Sequence, residues 1–263
     1  MSSKTTTMTD ARKLLCTRAV RGLADGVVSV ALAAYLTEIG FSALQVGAVV
    51  TGTLLGSAAL TLAVGLLGYQ LSRRRILLAA AALMAVTGIG FAGLTAFWPL
   101  MIVAVVGTLN PSGGDVSLFL PTEQAALADT AAGHARTRAF AWYNLAGTFA
   151  GALGALLSGV PSLVAARRGL SLVAADRAVF VGYAACALGA ALVYRTLSPA
   201  IEVHATAGAT RPLGDSRAVV LRLAALFSLD SFGGGFVVQS LLVLWLYRRF
   251  QLDQQTTAAI FFA

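Results

Sequence analysis

Residues 76–114 read ILLAAAALMAVTGIGFAGLTAFWPLMIVAVVGTLNPSGG, without one Asp, Glu, Lys or Arg. A run of that length exceeds a single buried strand or a single soluble core helix. It fits two membrane crossings joined by a tight turn at Phe97-Trp98-Pro99. Further uncharged runs cover 39–72, 139–166 and 178–194. Only 11% of the chain is charged, against about 25% in an ordinary soluble domain. The expected fold class is therefore all-α and polytopic. A β-barrel is a poor fit, because period-two alternation is absent and the runs exceed barrel strands.

The run ends in DVSLFLPTEQAALAD, residues 115–129. Asp115 follows two glycines in what reads as a membrane helix, where a carboxylate is costly and needs a reason. Burial disfavours the charged form of a carboxyl. Such a group can hold a proton at one stage and release it at another, or it can be a hydrogen-bonded structural acid closing a bend at Pro111. Glu123 and Gln124 lie about 12 Å further along a continuous helix. They are expected nearer the cytoplasmic mouth, gating it or capping the next turn.

The net charge of +8 would suggest nucleic acid in a soluble chain. Here the basic residues sit between apolar runs and set orientation. Most of them fall in alternate connections starting with the N-terminus, which is therefore expected in the cytoplasm. Arg167, Arg168, Arg177, Arg248 and Arg249 fall on the other side. Cys16 and Cys186 form no spacing pattern, and His134 and His204 suggest no metal site. No metal or other cofactor is expected. With no Gly-x-x-x-x-Gly-Lys-Ser/Thr loop and no nucleophile constellation, neither an ATP-driven pump nor an enzyme is indicated.

Residues 1–16 read as a cytoplasmic tail with a disordered start. The first span is expected at 17–38, with Arg21 and Asp25 four apart on one face. They read equally as an interfacial cap and anchor or as a pair facing a polar cavity. Spans follow at 44–69, 76–95, 99–121 (bent near Pro111), 138–160 and 178–196. These make a six-helix bundle over 17–196. A polar linker at 197–218 precedes a second bundle from 219, whose first span, 219–246, carries Asp230 and Gln239. Gly52 and Gly56, and the Gly147, Gly151 and Gly154 series, permit close helix packing. Asn144, between aromatic neighbours, and Gln239 offer neutral polar contacts or interhelical links. Trp142 and Tyr143 read as possible interface markers. The chain stops in an eighth span, so a truncated sequence is expected.

Three features resemble the major facilitator superfamily of secondary transporters. One is the layout of six spans, a polar loop, and a seventh span with an acid. Another is Gly65-Leu-Leu-Gly68-Tyr69-Gln-Leu-Ser72-Arg73-Arg74, which is similar to the family's loop signature with Tyr69 at the usual Asp position. The third is Asn110–Gln124 together with Arg138-Ala-Phe-Ala-Trp142-Tyr143-Asn144. The resemblance implies two six-helix bundles rocking around a central site, of which only the first and the start of the second are present. It implies a substrate or proton pathway drawn from Arg21, Asp25, Asp115, Asn144, Asp230 and Gln239. Gating or the loop motif would use Gly65, Gly68, Arg73, Arg74, Glu123 and Gln124. Arg73 and Arg74 can bind a helix C-terminus or anionic lipid, or act simply as positive-inside anchors. The expected function is secondary active transport of a small solute, coupled to protons, with a mild preference for efflux of an organic or amphipathic compound. The expected setting is the plasma membrane, among lipids, as a monomer when full length. A passive facilitator, receptor or scaffold is the alternative.

Overall fold

The computed structural model describes residues 2–67, 71–112, 117–130, 133–169, 171–202, 217–234 and 238–262. Among them the regular structure is helical: α1 Ser2–Glu38, α2 Ala43–Leu67, α3 Arg73–Gly93, α4 Phe97–Val106, α5 Phe119–Thr130 and α6 His134–Leu157. These are followed by α7 Val160–Arg168, α8 Leu172–Arg195, α9 Arg217–Gly234, α10 Gln239–Phe250 and α11 Gln254–Phe262. A 3-10 turn covers Pro199–Ile201. Five helical stretches are long and apolar enough to cross a membrane: Thr9–Glu38, Ala43–Leu66, Arg73–Gly93, the α6–α7 stretch His134–Arg168, and Leu172–Arg195. The protein is thus an all-α polytopic membrane protein, with the shorter apolar α4 beside these five.

Helix α1 is the axis of the packing, touching α2, α5, α6, α8, α10 and α11. Glycines determine how close its neighbours come. A Cβ on Gly26 would collide with the backbone carbonyl of Gly151, and one on Gly154 with that of Leu23. The α1–α6 crossing is therefore backbone on backbone, gaining dispersion contacts that lipid cannot match. Gly56 lies against the backbone of Val105, bringing α2 onto α4. Helix α3 packs on α8, with Gly88 against Phe180 and Ala184. The core between them is aliphatic and aromatic, including the stacked rings of Phe91 and Phe180 at 5.3 Å.

Three elements differ from the sequence expectation. The polar start is helical from Ser2, continuous with the first crossing. The buried Asp10 carboxylate accepts from the Ser198 backbone N–H and hydroxyl, and Lys13 Nζ donates to the Thr196 carbonyl at 2.6 Å. These contacts tie the helix to the end of α8. The stretch expected as a fourth span is split into α4 and α5, and the residues described between them, 107–112 and 117–118, are non-helical. Pro111 lacks the N–H that would continue a helix, and the Asn110 carboxamide accepts from the Ser112 N–H at 3.1 Å, a local turn bond. The expected seventh span is divided between α9 and α10 around Gly233-Gly234-Gly235, with 235–237 outside the described residues.

Candidate functional site

Glu123 lies on α5 with no exposed surface, and Arg21 of α1 is 1% exposed. Their side chains form a direct ion pair. Three hydroxyls complete the carboxylate's surroundings. Thr17 donates to Oε1 at 2.9 Å, Tyr194 of α8 donates to Oε1 at 2.6 Å, and Tyr143 of α6 donates to Oε2. Phe119, one turn before Glu123, lies under the Arg21 guanidinium at 4.1 Å and stacks on Tyr194 at 6.1 Å. Arg18 sits over the Tyr143 ring at 5.4 Å. One buried acid thus joins α1, α5, α6 and α8.

This arrangement follows from elementary costs. An isolated ion in an apolar interior is strongly disfavoured, and a pair is tolerated when further hydrogen bonds satisfy its remaining oxygens. Tyr143 and Tyr194 contribute large apolar rings to the packing while each hydroxyl reaches the acid. Thr17 and Arg21 are four apart, so α1 presents both on one face.

Asp25 lies one turn beyond Arg21 on the same helix and is partly buried. Its carboxyl sits beside the hydroxyl of Tyr183, which donates to the Thr108 carbonyl at 3.2 Å. Arg21 forms its ion pair with Glu123, a residue 102 positions away. Gln124 is half-buried next to it. Asn144 is exposed while its neighbour Tyr143 is fully buried, and Trp142 is 56% exposed. Of the two aromatic residues read as interface markers, Tyr143 faces the acid. Asp230 is exposed on α9. Gln239 is half-buried beside Ser240, whose hydroxyl lies 2.6 Å from the Ser29 carbonyl and 2.8 Å from that of Pro111. Asp115, Gly68 and Tyr69 lie outside the described residues.

The basic loop makes a second network at the end of the bundle where α1 begins. The Glu202 carboxylate accepts from the backbone N–H groups of Arg73 and Arg74 at 2.8 and 3.4 Å, while the Ser72 hydroxyl accepts from Arg75. These are N-terminal caps for α3. The Arg73 guanidinium donates to Asp129 and to the Ile201 carbonyl, at 2.6 and 2.9 Å. Arg74 donates to the Arg195 carbonyl at the C-terminus of α8, where a cation is favoured. Gly65 is exposed on α2, with open space where a Cβ would lie. Among the described residues no cluster of three His, Cys, Asp or Glu is placed to hold a metal.

A buried ion pair linking crossing helices, with a basic loop at one end, is the setting for the comparisons with known proteins. The sequence profile of the Major Facilitator Superfamily matches residues 14–263. The chain belongs to that superfamily. Its members are transporters rather than enzymes. The uncharacterized membrane protein YJR124C of Saccharomyces cerevisiae is 24% identical over 276 aligned positions, which cover 92% of this chain and 62% of that protein. Among solved structures, the D-xylose-proton symporter superposes with a TM-score of 0.61 at 16% identity, covering 95% of this chain and 64% of its own. Tetrameric PepTSo2 superposes at 0.58 and 17% identity, covering 97% and 51%. These structures share the fold. The chain spans between half and two thirds of the length of the proteins it matches.

Tyr143 and Tyr194 were the residues hardest to find from sequence. Each is a polar-tipped aromatic in an apolar helix, a weak signal shared with interfacial anchors. Thr17 gave none, being one more hydroxyl in a polar N-terminal approach.

Proposed function

We propose that the intact protein carries a small organic or amphipathic solute across the plasma membrane by alternating access, coupled to proton movement, with efflux as the favoured direction. The observation that carries this reading is the Glu123–Arg21 pair, buried where four helices meet. In the resting arrangement ionised Glu123 neutralises Arg21 and accepts from Thr17, Tyr143 and Tyr194. Protonation cancels that charge. Asp25, one turn along α1, then serves as the counter-charge of Arg21, and α5 is freed to shift against α1. Deprotonation reverses the exchange, so a proton entering or leaving the site is tied to helix movement. The D-xylose-proton symporter, by its name, couples a sugar to protons, and its shared fold supports this coupling here.

The division into a bundle at 17–196, a linker at 197–218 and a second bundle from 219 belongs to the same reading. So does a single protomer as the working unit, with Asp115, Asn144, Asp230 and Gln239 in the pathway. The cytoplasmic end is the one carrying Arg73, Arg74 and Lys13, on the bias of basic residues to that side.

The test is reconstitution of the full-length protein in liposomes, with internal pH recorded as candidate compounds are added. Wild type, Glu123→Gln and Asp115→Asn are compared. Compound-dependent proton movement in wild type, lost in Glu123→Gln while labelled compound still equilibrates, is the expected result. Proton movement unchanged in Glu123→Gln sinks the role of Glu123. Loss only in Asp115→Asn moves coupling to that acid.

A further inference from the structure

The arginines that run against the charge bias lie beside an apolar groove. Leu157 on α6, and Val160, Pro161 and Val164 on α7, face Ala174, Ala175, Ala178 and Val179 of α8 across about 460 Å³ of open space. Leu157, Val160 and Val164 are 38–44% exposed, on the outer surface of the bundle. Their spacing is that of one helical face: 157, 160 and 161, then 164. The next positions on that face are Arg167 and Arg168, both exposed in the last turn of α7. The groove and its arginines therefore form one continuous stripe. From Leu157 to Arg168 it is roughly 16 Å long at helical rise, about half a hydrocarbon core of roughly 30 Å. An apolar slot one leaflet deep with cations at its mouth has the shape of a phospholipid site.

Charge selects the headgroup. The two guanidiniums at the rim, Arg167 and Arg168, offer forked donors suited to phosphate oxygens. A zwitterionic lipid would bring its own cation into that rim. We infer that the α7–α8 groove binds an anionic phospholipid, one acyl chain lying along Leu157–Val164 and the phosphate held by Arg167 and Arg168. The site lies in the leaflet opposite the Arg73–Arg74 loop. It accounts for arginines on the side of the membrane that the charge bias disfavours.

The experiment is a titration of the intact protein with dioleoyl phosphatidylglycerol, followed by native mass spectrometry, against dioleoyl phosphatidylcholine and soluble glycerol phosphate. Wild type is expected to bind phosphatidylglycerol first and at least tenfold more tightly than phosphatidylcholine. R167Q/R168Q should weaken it roughly 30-fold, by the usual worth of an arginine near a lipid surface. Ala178→Leu, which fills the slot and leaves the charges, should weaken binding of the same lipid. Equal binding of the two lipids overturns the inference. So does unchanged affinity in either variant, or full competition by glycerol phosphate, which would mean a headgroup site without the groove.

Discussion

At the scale of single residues, the Glu123–Arg21 pair is where one substitution is expected to cost most. Breaking a buried ion pair from one side costs about 3–5 kcal/mol, because the survivor keeps its charge without a partner. Arg21→Gln is therefore expected to lower the thermal unfolding midpoint in detergent sharply. R21M/E123L, which removes both charges, should recover most of that stability while abolishing compound-dependent proton movement. A double variant as unstable as the single one would contradict this account. Tyr194→Phe keeps the ring stacked on Phe119 and removes only the hydroxyl, so its expected cost is about 1.5–3 kcal/mol, the worth of a hydrogen bond to a charged group. Glu123 was legible in sequence as a gating or capping residue near the cytoplasmic mouth. Its partners were not, because Thr17, Arg21, Tyr143 and Tyr194 lie 20 to 106 positions away, and no local spacing rule reaches across helices. The visible pattern, Arg21 and Asp25 four apart, pointed to a neighbour on the same helix. The structure adds an ion pair to Glu123, the acid that α5 brings in from the side.

At the scale of elements, glycine position decides which substitutions the helices tolerate. Gly26→Leu must push α1 off the backbone of Gly151, and a loss of about 1–3 kcal/mol or more is expected from overpacking. Gly65→Ala meets nothing and should stabilise α2 by about 0.5–1 kcal/mol, the helix penalty of glycine. Unfolding midpoints of the two variants should therefore move in opposite directions. Sequence reading recovered these contacts as small-residue stripes, since spacing on one helix is local information. The partners came only with the fold: α4 for Gly56 and α1 for Gly151 and Gly154. The start of α11 carries a different dependence. Asp253 accepts from the Thr256 N–H at 3.0 Å, and hydrogen bonds from Thr256 hold its carboxyl below the usual carboxylate value. A depressed value in the folded state means the cap is complete above the ordinary value of about 3.9 and is lost as pH falls through the lowered one. Amide exchange in the first turn of α11 should be flat from neutral pH down to about 4, after correction for intrinsic rate, and accelerate below it. Acceleration already near pH 6 would assign the effect to another group.

At the scale of the whole molecule, long apolar runs made the crossings legible, because a bilayer demands a minimum length and an absence of charge. The same rule could not show where a crossing breaks. Pro111 marked a bend, yet the described residues around it, 107–112 and 117–118, are non-helical, and the span expected at 219–246 is divided between α9 and α10 with 235–237 outside the described residues. Ser240, at the start of α10, lies against the Pro111 carbonyl and against Ser29 in the middle of α1. This contact joins α10 to the opening crossing; if transport proceeds as proposed, with a bundle from 219 rocking against the first, the two must part there. In a chain with Cys16 and Cys186 replaced, S29C/S240C bridged by a short dithiol cross-linker should stop solute flux in liposomes, and reductive release of a cleavable linker should restore it. S240A alone removes one hydroxyl and leaves the helices free, so its flux should stay within a few-fold of wild type, the scale of a single neutral hydrogen bond. Flux that continues through a quantitatively cross-linked protein would mean that α1 and α10 move as one body, and the parting surface would then have to lie elsewhere.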